Sequence, residues 1–283
     1  EGEIKDNLIE ITPELGELFA SYWSLIRPVM PPERRMGDLA LPFYHLRSDG
    51  FWHLVPRPGK EAIVEAGITM RSISKLRENT LGARLDDDLF HLLQRNDARH
   101  KLRRVLVETY FAPVLHQPLL EQSTMNFDSS LYQRQLEQEA KASDFQLLKV
   151  PDEDKPARTQ GFRRVVVATY NHTCAACGIR IINREGHSIV VAAHIVPHHQ
   201  SHNDDPRNGL SLCQSCHWVF DRGLMTISAD NYRVRLSAQL KAIDLEPGYF
   251  GGVRGSEIRL PTDALLYPHP LALDWHRKHI FAS

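Results

Sequence analysis

The chain has 283 residues, 42% hydrophobic and 24% charged, long enough for two domains with cores of their own. Its net charge is −1, so charge alone identifies no partner. No apolar run approaches the roughly 20 residues that a bilayer span needs, which excludes a helical membrane anchor within it.

The opening residues Glu1-Gly2-Glu3-Ile4 have neither a basic segment nor an apolar one, so no secretory signal is read and a cytoplasmic location is expected. Residues 8–30 have helical periodicity, broken by Pro28 and the Pro31-Pro32 pair. Leu39–Val55 reads as a hairpin, with aromatic and aliphatic residues on either side of Ser48-Asp49-Gly50. Short helices are predicted over 60–67 and 85–94. A longer one runs from Ala98 to Phe111 with Leu102, Val105, Leu106 and Tyr110 on one face, its end bracketed by Pro113 and Pro118.

From Gln122 to Arg158 the composition turns to Gln, Glu, Ser, Asp and Lys, followed by Pro151-Asp-Glu-Asp-Lys-Pro156. That stretch reads as a partly helical linker. It divides the chain into an N-terminal domain over 1–122, a linker over 123–158 and a second domain over 159–283. Lys and Arg number 16 against 18 acidic residues in 1–122, and 13 against 10 in 159–283, where ten of the 15 histidines also lie. This mild positive excess permits nucleic-acid binding without demonstrating it. Phe162–Tyr170 opens the second domain as a helix, and Leu224–Ile227 and Tyr232–Leu236 alternate like two strands.

All four cysteines fall in the second domain, as Cys174-Ala-Ala-Cys177 and Cys213-Gln-Ser-Cys216, with 178–212 between them. Two matched pairs with no secretory signal favour a reducing compartment and a tetrahedral Zn²⁺ over disulfides. Such a site is closed and structural, and it clamps a segment that cannot bury much core by itself. Unmetallated or redox-active cysteine pairs are the alternative, and they leave the matched spacing unexplained. Within the clamp, Ile189–Pro197 reads as a strand ending at His194. A polar loop and Asn208-Gly209 follow, and then His217 and Asp221 at i, i+4 on one helical face. A histidine and a carboxylate opposite a strand-borne histidine are suited to holding a divalent cation beside a general base. Asp221 also reads as a turn residue or a partner of Arg222, and His198, His199 and His202 as a solvated loop.

Four cysteines combined with His194, Asn208 and His217 closely resemble the HNH, or ββα-metal, nucleases over roughly 165–236. The resemblance implies that His194 activates water against a phosphodiester and that Asn208 fixes the loop. It also implies that His217, with Asp221, binds Mg²⁺ or Mn²⁺. Many family members carry a further ligand immediately before the base, where this chain has Ala193. Arg163, Arg164, Arg207 and Arg222 are candidate phosphate contacts.

The runs Leu41–Trp52 and Leu106–His116 resemble an N-terminal recognition domain that precedes an HNH domain in a group of restriction endonucleases. In some members that domain binds DNA in which sulfur replaces a non-bridging phosphate oxygen. The resemblance implies an α+β protein, a mixed helical and hairpin recognition domain followed by a zinc-stabilised ββα-metal nuclease, acting on modified double-stranded DNA. Tyr44, His45, Arg47, Arg71 and His116 are the candidate contacts in the first domain. A nuclease that reads methylated or hydroxymethylated cytosine, and a non-catalytic zinc module, stay open as alternatives. One HNH site cuts one strand at a time, so double-strand breaks need two visits or a homodimer.

Overall fold

The computed structural model describes residues 4–35, 37–68, 70–150, 156–242, 250 and 252–282. Contacts divide the chain into two units, one of Glu1–Phe127 with Ile182–His187, the other of Asp128–Ile181 with Ser188–Ser283. The division falls inside a helix. Among the described residues no helix is long and apolar enough to cross a membrane.

In the first unit, α1 (Pro13–Ile26) starts where Thr12 caps the backbone N–H of Leu15 and Pro13 supplies a preset φ at the first turn. The segment read as a tight hairpin is instead α2 (Ala40–His45) followed by a 3₁₀ turn over Leu46–Asp49. Ala40, Phe43 and Tyr44 are buried, the i, i+3, i+4 spacing of one helical face rather than the alternation of a strand. Gly50 takes φ +84° to end the 3₁₀ turn, so the Asp-Gly pair closes a helical segment rather than reversing a strand. Only the far end of the stretch is extended. β1 (Trp52–Pro56) pairs antiparallel with β2 (Thr80–Leu85), in register Trp52 to Leu85, with α3 (Glu61–Glu65) and α4 (Ile73–Asn79) between them. Phe43 meets Trp52 edge-on at 5.1 Å and accepts the indole N–H on its carbonyl at 2.8 Å, which ties α2 to the sheet.

After α5 (Asp87–Leu93), α6 (Asn96–Tyr110) buries Ala98 and Val107 but not the face read as apolar. Val105 is 60% and Tyr110 80% exposed, with Leu102 and Leu106 also exposed. The residues expected to be linker continue a 30-residue helix, α7 (Pro113–Ala142). Pro113 opens it rather than ending α6, as a proline at the first helical position does. The Gln- and Glu-rich composition that suggested a linker supplies spaced pairs along it, Gln117 to Glu121, Gln135 to Glu139 and Lys141 to Glu137, each 2.7 Å. The run 151–155 of the expected linker lies outside the described residues.

The second unit carries α8 (Pro156–Thr169), β3 (Val190–His194), the short α9 (His198–Ser201), β4 (Gly209–Cys213) and α10 (Gln214–Asp221). The small sheet β5 (Met225–Ile227) with β6 (Val234–Leu236) follows, and α11 (Pro270–His279) ends the unit. β3 and β4 are antiparallel, Val190 opposite Cys213 and His194 opposite Gly209, and β4 runs directly into α10. This is a ββα unit. Phe162, Val165 and Val166 of α8 join Val190, Leu210, Leu212 and Phe220 in one core. Two glycines permit the approach of α8. A Cβ on Gly209 would stand 2.5 Å from Val166 and 3.1 Å from the Phe162 ring. One on Gly161 would stand 2.9 Å from both the Ser129 carbonyl and the Tyr132 ring.

Candidate active site

The thiol cluster comes from two knuckles. Cys174 and Cys177 lie in a turn after α8, Cys213 ends β4, and Cys216 is in the first turn of α10. All four are free, three are buried, and their Sγ atoms lie within 4.8 Å of one another. Cys177 and Cys213 sulfurs are 3.8 Å apart. Tetrahedral zinc with Zn–S bonds of about 2.3 Å places its sulfurs roughly 3.8 Å apart, so the cluster fits the ion. Hydrogen bonding from Cys216 pulls Cys174 down to about 5, and the same contact, with burial, pushes Cys216 up. Four sulfurs this close cannot all be thiolates unless a cation neutralises them, which is what zinc does. Among the described residues no other group of three or more His, Cys, Asp or Glu side chains gathers its ligand atoms so closely.

On the next residue the chemistry changes. An open cavity of about 370 Å³ is lined by His194, His198, His199, His217, Asp221 and His276 with Ala192, Ile195 and Phe220 among the apolar walls. The ββα geometry brings the sequence candidates together there: His194 from the end of β3, His217 and Asp221 from α10. His217 Nε2 and Asp221 Oδ2 are 3.2 Å apart. Adjacent ligands of an octahedral ion bound at about 2.1 Å stand roughly 3 Å apart, so the pair suits two neighbouring positions of Mg²⁺ or a similar cation. Burial raises the Asp221 carboxyl, and the charge of His217 opposes that. Ala193 packs into the core, so the position before His194 adds nothing to the cavity.

His194 is held from several sides. Its ring stacks on Phe162 of α8 at 3.9 Å and 10°, and its Nε2 lies 3.1 Å from Asp204 Oδ1. Asp204 is buried. Its other oxygen accepts from Arg158 and from the Tyr132 hydroxyl, each at 3.0 Å, and Arg158 also donates to the Tyr132 oxygen at 3.3 Å. Burial pushes the Asp204 carboxyl up, but the hydrogen bonds of His194 and Tyr132 and the nearby charges outweigh it. The carboxyl therefore stays below its ordinary range. Burial next to Asp204 raises Tyr132 to about 12. His198 Nε2 lies 3.6 Å from the same Asp204 oxygen. Burial lowers its pKa, with help from His194 and Arg158.

Asn208 does not face the cavity. It is fully buried, its amide oxygen accepts from Val196 N at 2.9 Å, and its amide nitrogen donates to Val196 O at 3.1 Å and Asn203 O at 3.0 Å. These bonds pin both ends of the loop that carries Asp204.

The candidate DNA contacts distribute unevenly. Arg207 is spent on Asp205, at 2.8 and 2.9 Å, and on Ser143 O, while Arg164 is buried with Ser130 Oγ at 3.5 Å. Arg163 is half-buried. In the first unit Tyr44 belongs to the core, and its hydroxyl donates to Gly67 O at 2.8 Å. Arg47 lies over its ring at 4.4 Å. His116 is bonded to Phe111 O at 2.8 Å. His45 and Arg71 are exposed.

Sequence reasoning did not single out Asp204, Tyr132, Arg158, Phe162 or His276 as parts of this site. His276 sits under the cavity, stacked on Phe220 at 3.8 Å and bonded to Phe220 O and Thr226 Oγ1. Burial lowers its pKa to about 4. No motif spacing marks any of the five.

Residues 174–228 match a family model described as an HNH endonuclease, and residues 17–127 match one described as a ScoMcrA-like DNA sulfur-binding domain. No curated protein matches the chain. One similar solved structure is a modification-dependent TagI restriction endonuclease, 24% identical with a TM-score of 0.33. The match covers 47% of this chain and 44% of that one, so the chain spans less than half of that protein's length.

Proposed function

From a chain that joins an HNH endonuclease domain to a ScoMcrA-like DNA sulfur-binding domain, we propose a restriction endonuclease that cleaves phosphorothioate-modified double-stranded DNA. One observation carries the catalytic half of this reading. His194, His217 and Asp221 line a single open cavity, while the four thiols of two separate knuckles close on one another.

In that cavity His194 is the general base. A neutral imidazole nitrogen carries a lone pair that can take a proton from water. The oxygen so activated attacks phosphorus in line with the departing 3′ oxygen. His217 and Asp221 would hold Mg²⁺ or Mn²⁺, which when bound supplies positive charge at the phosphate and the leaving oxygen. Asn208 works at one remove, by fixing the 195–208 loop. The four cysteines hold zinc as a scaffold.

Recognition is assigned to residues 1–122. A phosphorothioate sulfur is larger and less strongly hydrated than oxygen, so an apolar recess beside cationic donors prefers it. His45 and Arg71, both exposed, are the donors we assign to the backbone, together with Arg47, which lies over the Tyr44 ring. The enzyme would act in the cytoplasm, where its thiols stay reduced. It would break both strands as a homodimer or by two visits.

The test uses the full chain with Mg²⁺ or Mn²⁺ and matched duplexes that differ by a single sulfur. The sulfur-bearing duplex is expected to be cut at least about tenfold faster, a preference of about 1.4 kcal/mol. Equal cutting of both duplexes rejects sulfur recognition. No cutting of either by folded, zinc-loaded protein rejects the nuclease reading itself.

A further inference from the structure

We propose that Asp204 is a positioning residue for His194: it holds the imidazole proton on Nε2 and so leaves Nδ1 as the atom that accepts a proton from water. The proposal rests on the reading of His194 as the general base. It concerns a side chain in the loop between β3 and β4 that neither the cysteines nor the HNH positions indicate.

The geometry is specific on three counts. First, both donors to Asp204 Oδ2 are themselves anchored, Tyr132 on α7 and Arg158 on α8, which leaves Oδ1 to face His194 Nε2 at 3.1 Å. A carboxylate only accepts, so the nitrogen facing it carries the hydrogen. Second, the imidazole is stacked on Phe162, one helical turn after Arg158. The same helix therefore sets the plane of the base and the charge that fixes its orienting carboxylate. Third, Asp204 stays ionised in spite of burial, because His194, Tyr132 and His198 all favour the anion. The titratable groups facing it are His194 from β3, His198 from α9, Tyr132 from α7 and Arg158 from α8.

The proton ledger closes without further reactants. Water transfers one proton to Nδ1, and its oxygen bonds to phosphorus as the bond to the 3′ oxygen breaks. That oxygen takes its proton from solvent. The imidazolium is stabilised by an Asp204 that remains a carboxylate throughout, and it returns its proton to solvent before the next turnover.

The closing experiment compares Asp204→Asn, His194→Ala and the unaltered full chain on the same duplex. An amide at 204 can donate to Nε2, which moves the proton to Nδ1 and removes the lone pair from the reacting edge. Cutting by Asp204→Asn is expected to fall about 10²-fold at neutral pH, within the usual range for a general base. Its residual rate should reach its plateau at a lower pH, because the carboxylate that favours the imidazolium is gone. A purely structural role would lower the rate without moving that limb. If Asp204→Asn cuts like the unaltered protein while His194→Ala is inactive, the positioning role is overturned and the base is kept. If His194→Ala cuts normally, the reading beneath it has failed. Should Asp204→Asn lose its fold, ¹⁵N-histidine spectra of the zinc-loaded unaltered chain decide, with His194 assigned by difference from His194→Ala. A proton on Nε2 is expected, and a proton on Nδ1 overturns the proposal.

Discussion

The thiol cluster and the histidine cavity share a helix, and adjacent residues of α10 serve them, Cys216 the one and His217 the other. They differ in closure. Cys216 is fully buried, and every partner in its set is another sulfur. His217 is about a third exposed and has a single carboxylate for company, which leaves room for water and phosphate. A complete set of soft ligands holds its ion and does no chemistry, whereas an incomplete set of harder ligands leaves positions for a reactant. A closed thiol cluster and an open cavity can therefore be served by consecutive residues, because a helix turns side chains about 100° apart at each step.

Breaking the closed site should cost most. Cys213→Ser is expected to abolish zinc binding and unfold the second unit, since the ion's binding free energy is part of its folding free energy. Measured zinc content and thermal unfolding check this, and retained cooperative unfolding without zinc would remove the scaffold role. In the open site the effect should fall mainly on rate. His194→Ala is expected to slow cutting by roughly 10²–10⁴-fold with zinc content unchanged. A parallel loss of zinc would mean that the two sites are not separable.

His276 gives the smallest and most gradual test. It lines the cavity yet is buried, and its folded pKa is about 4 against an ordinary 6.5. The unfolded chain takes up a proton as pH falls through 6.5, and the folded one does so only near 4. Stability is therefore full above pH 6.5 and falls as pH drops towards 4, by at most roughly 3 kcal/mol. Denaturant midpoints across that window should flatten in His276→Gln if this group is the source.

Legibility in the sequence followed how local each constraint is. Cys174, Cys177, Cys213 and Cys216 could be named because knuckle spacing is a property of short peptides. His217 and Asp221 could be paired because i, i+4 neighbours share a helical face wherever that helix packs. The strand ending at His194 was visible for the same reason. Leu39–Val55 departs from the hairpin expectation because Ser48-Asp49-Gly50 has the composition of a strand-reversing turn, whereas Ala40, Phe43 and Tyr44 share a helical face and Phe43 packs on Trp52. The 113–142 helix was hidden by a composition that serves a solvated helix as well as a linker.

By itself, then, the sequence determined which cysteines and histidines are candidates for metal binding and catalysis, since those candidates are marked by spacing along a few turns. The tertiary structure alone decided what surrounds His194. Asp204 meets Tyr132 from 72 positions away and Arg158 from 46, and no periodicity links them. A buried carboxylate finds its partners only where α7 and α8 converge on the loop, and that convergence depends on Gly161 and Gly209 having no side chain in the way.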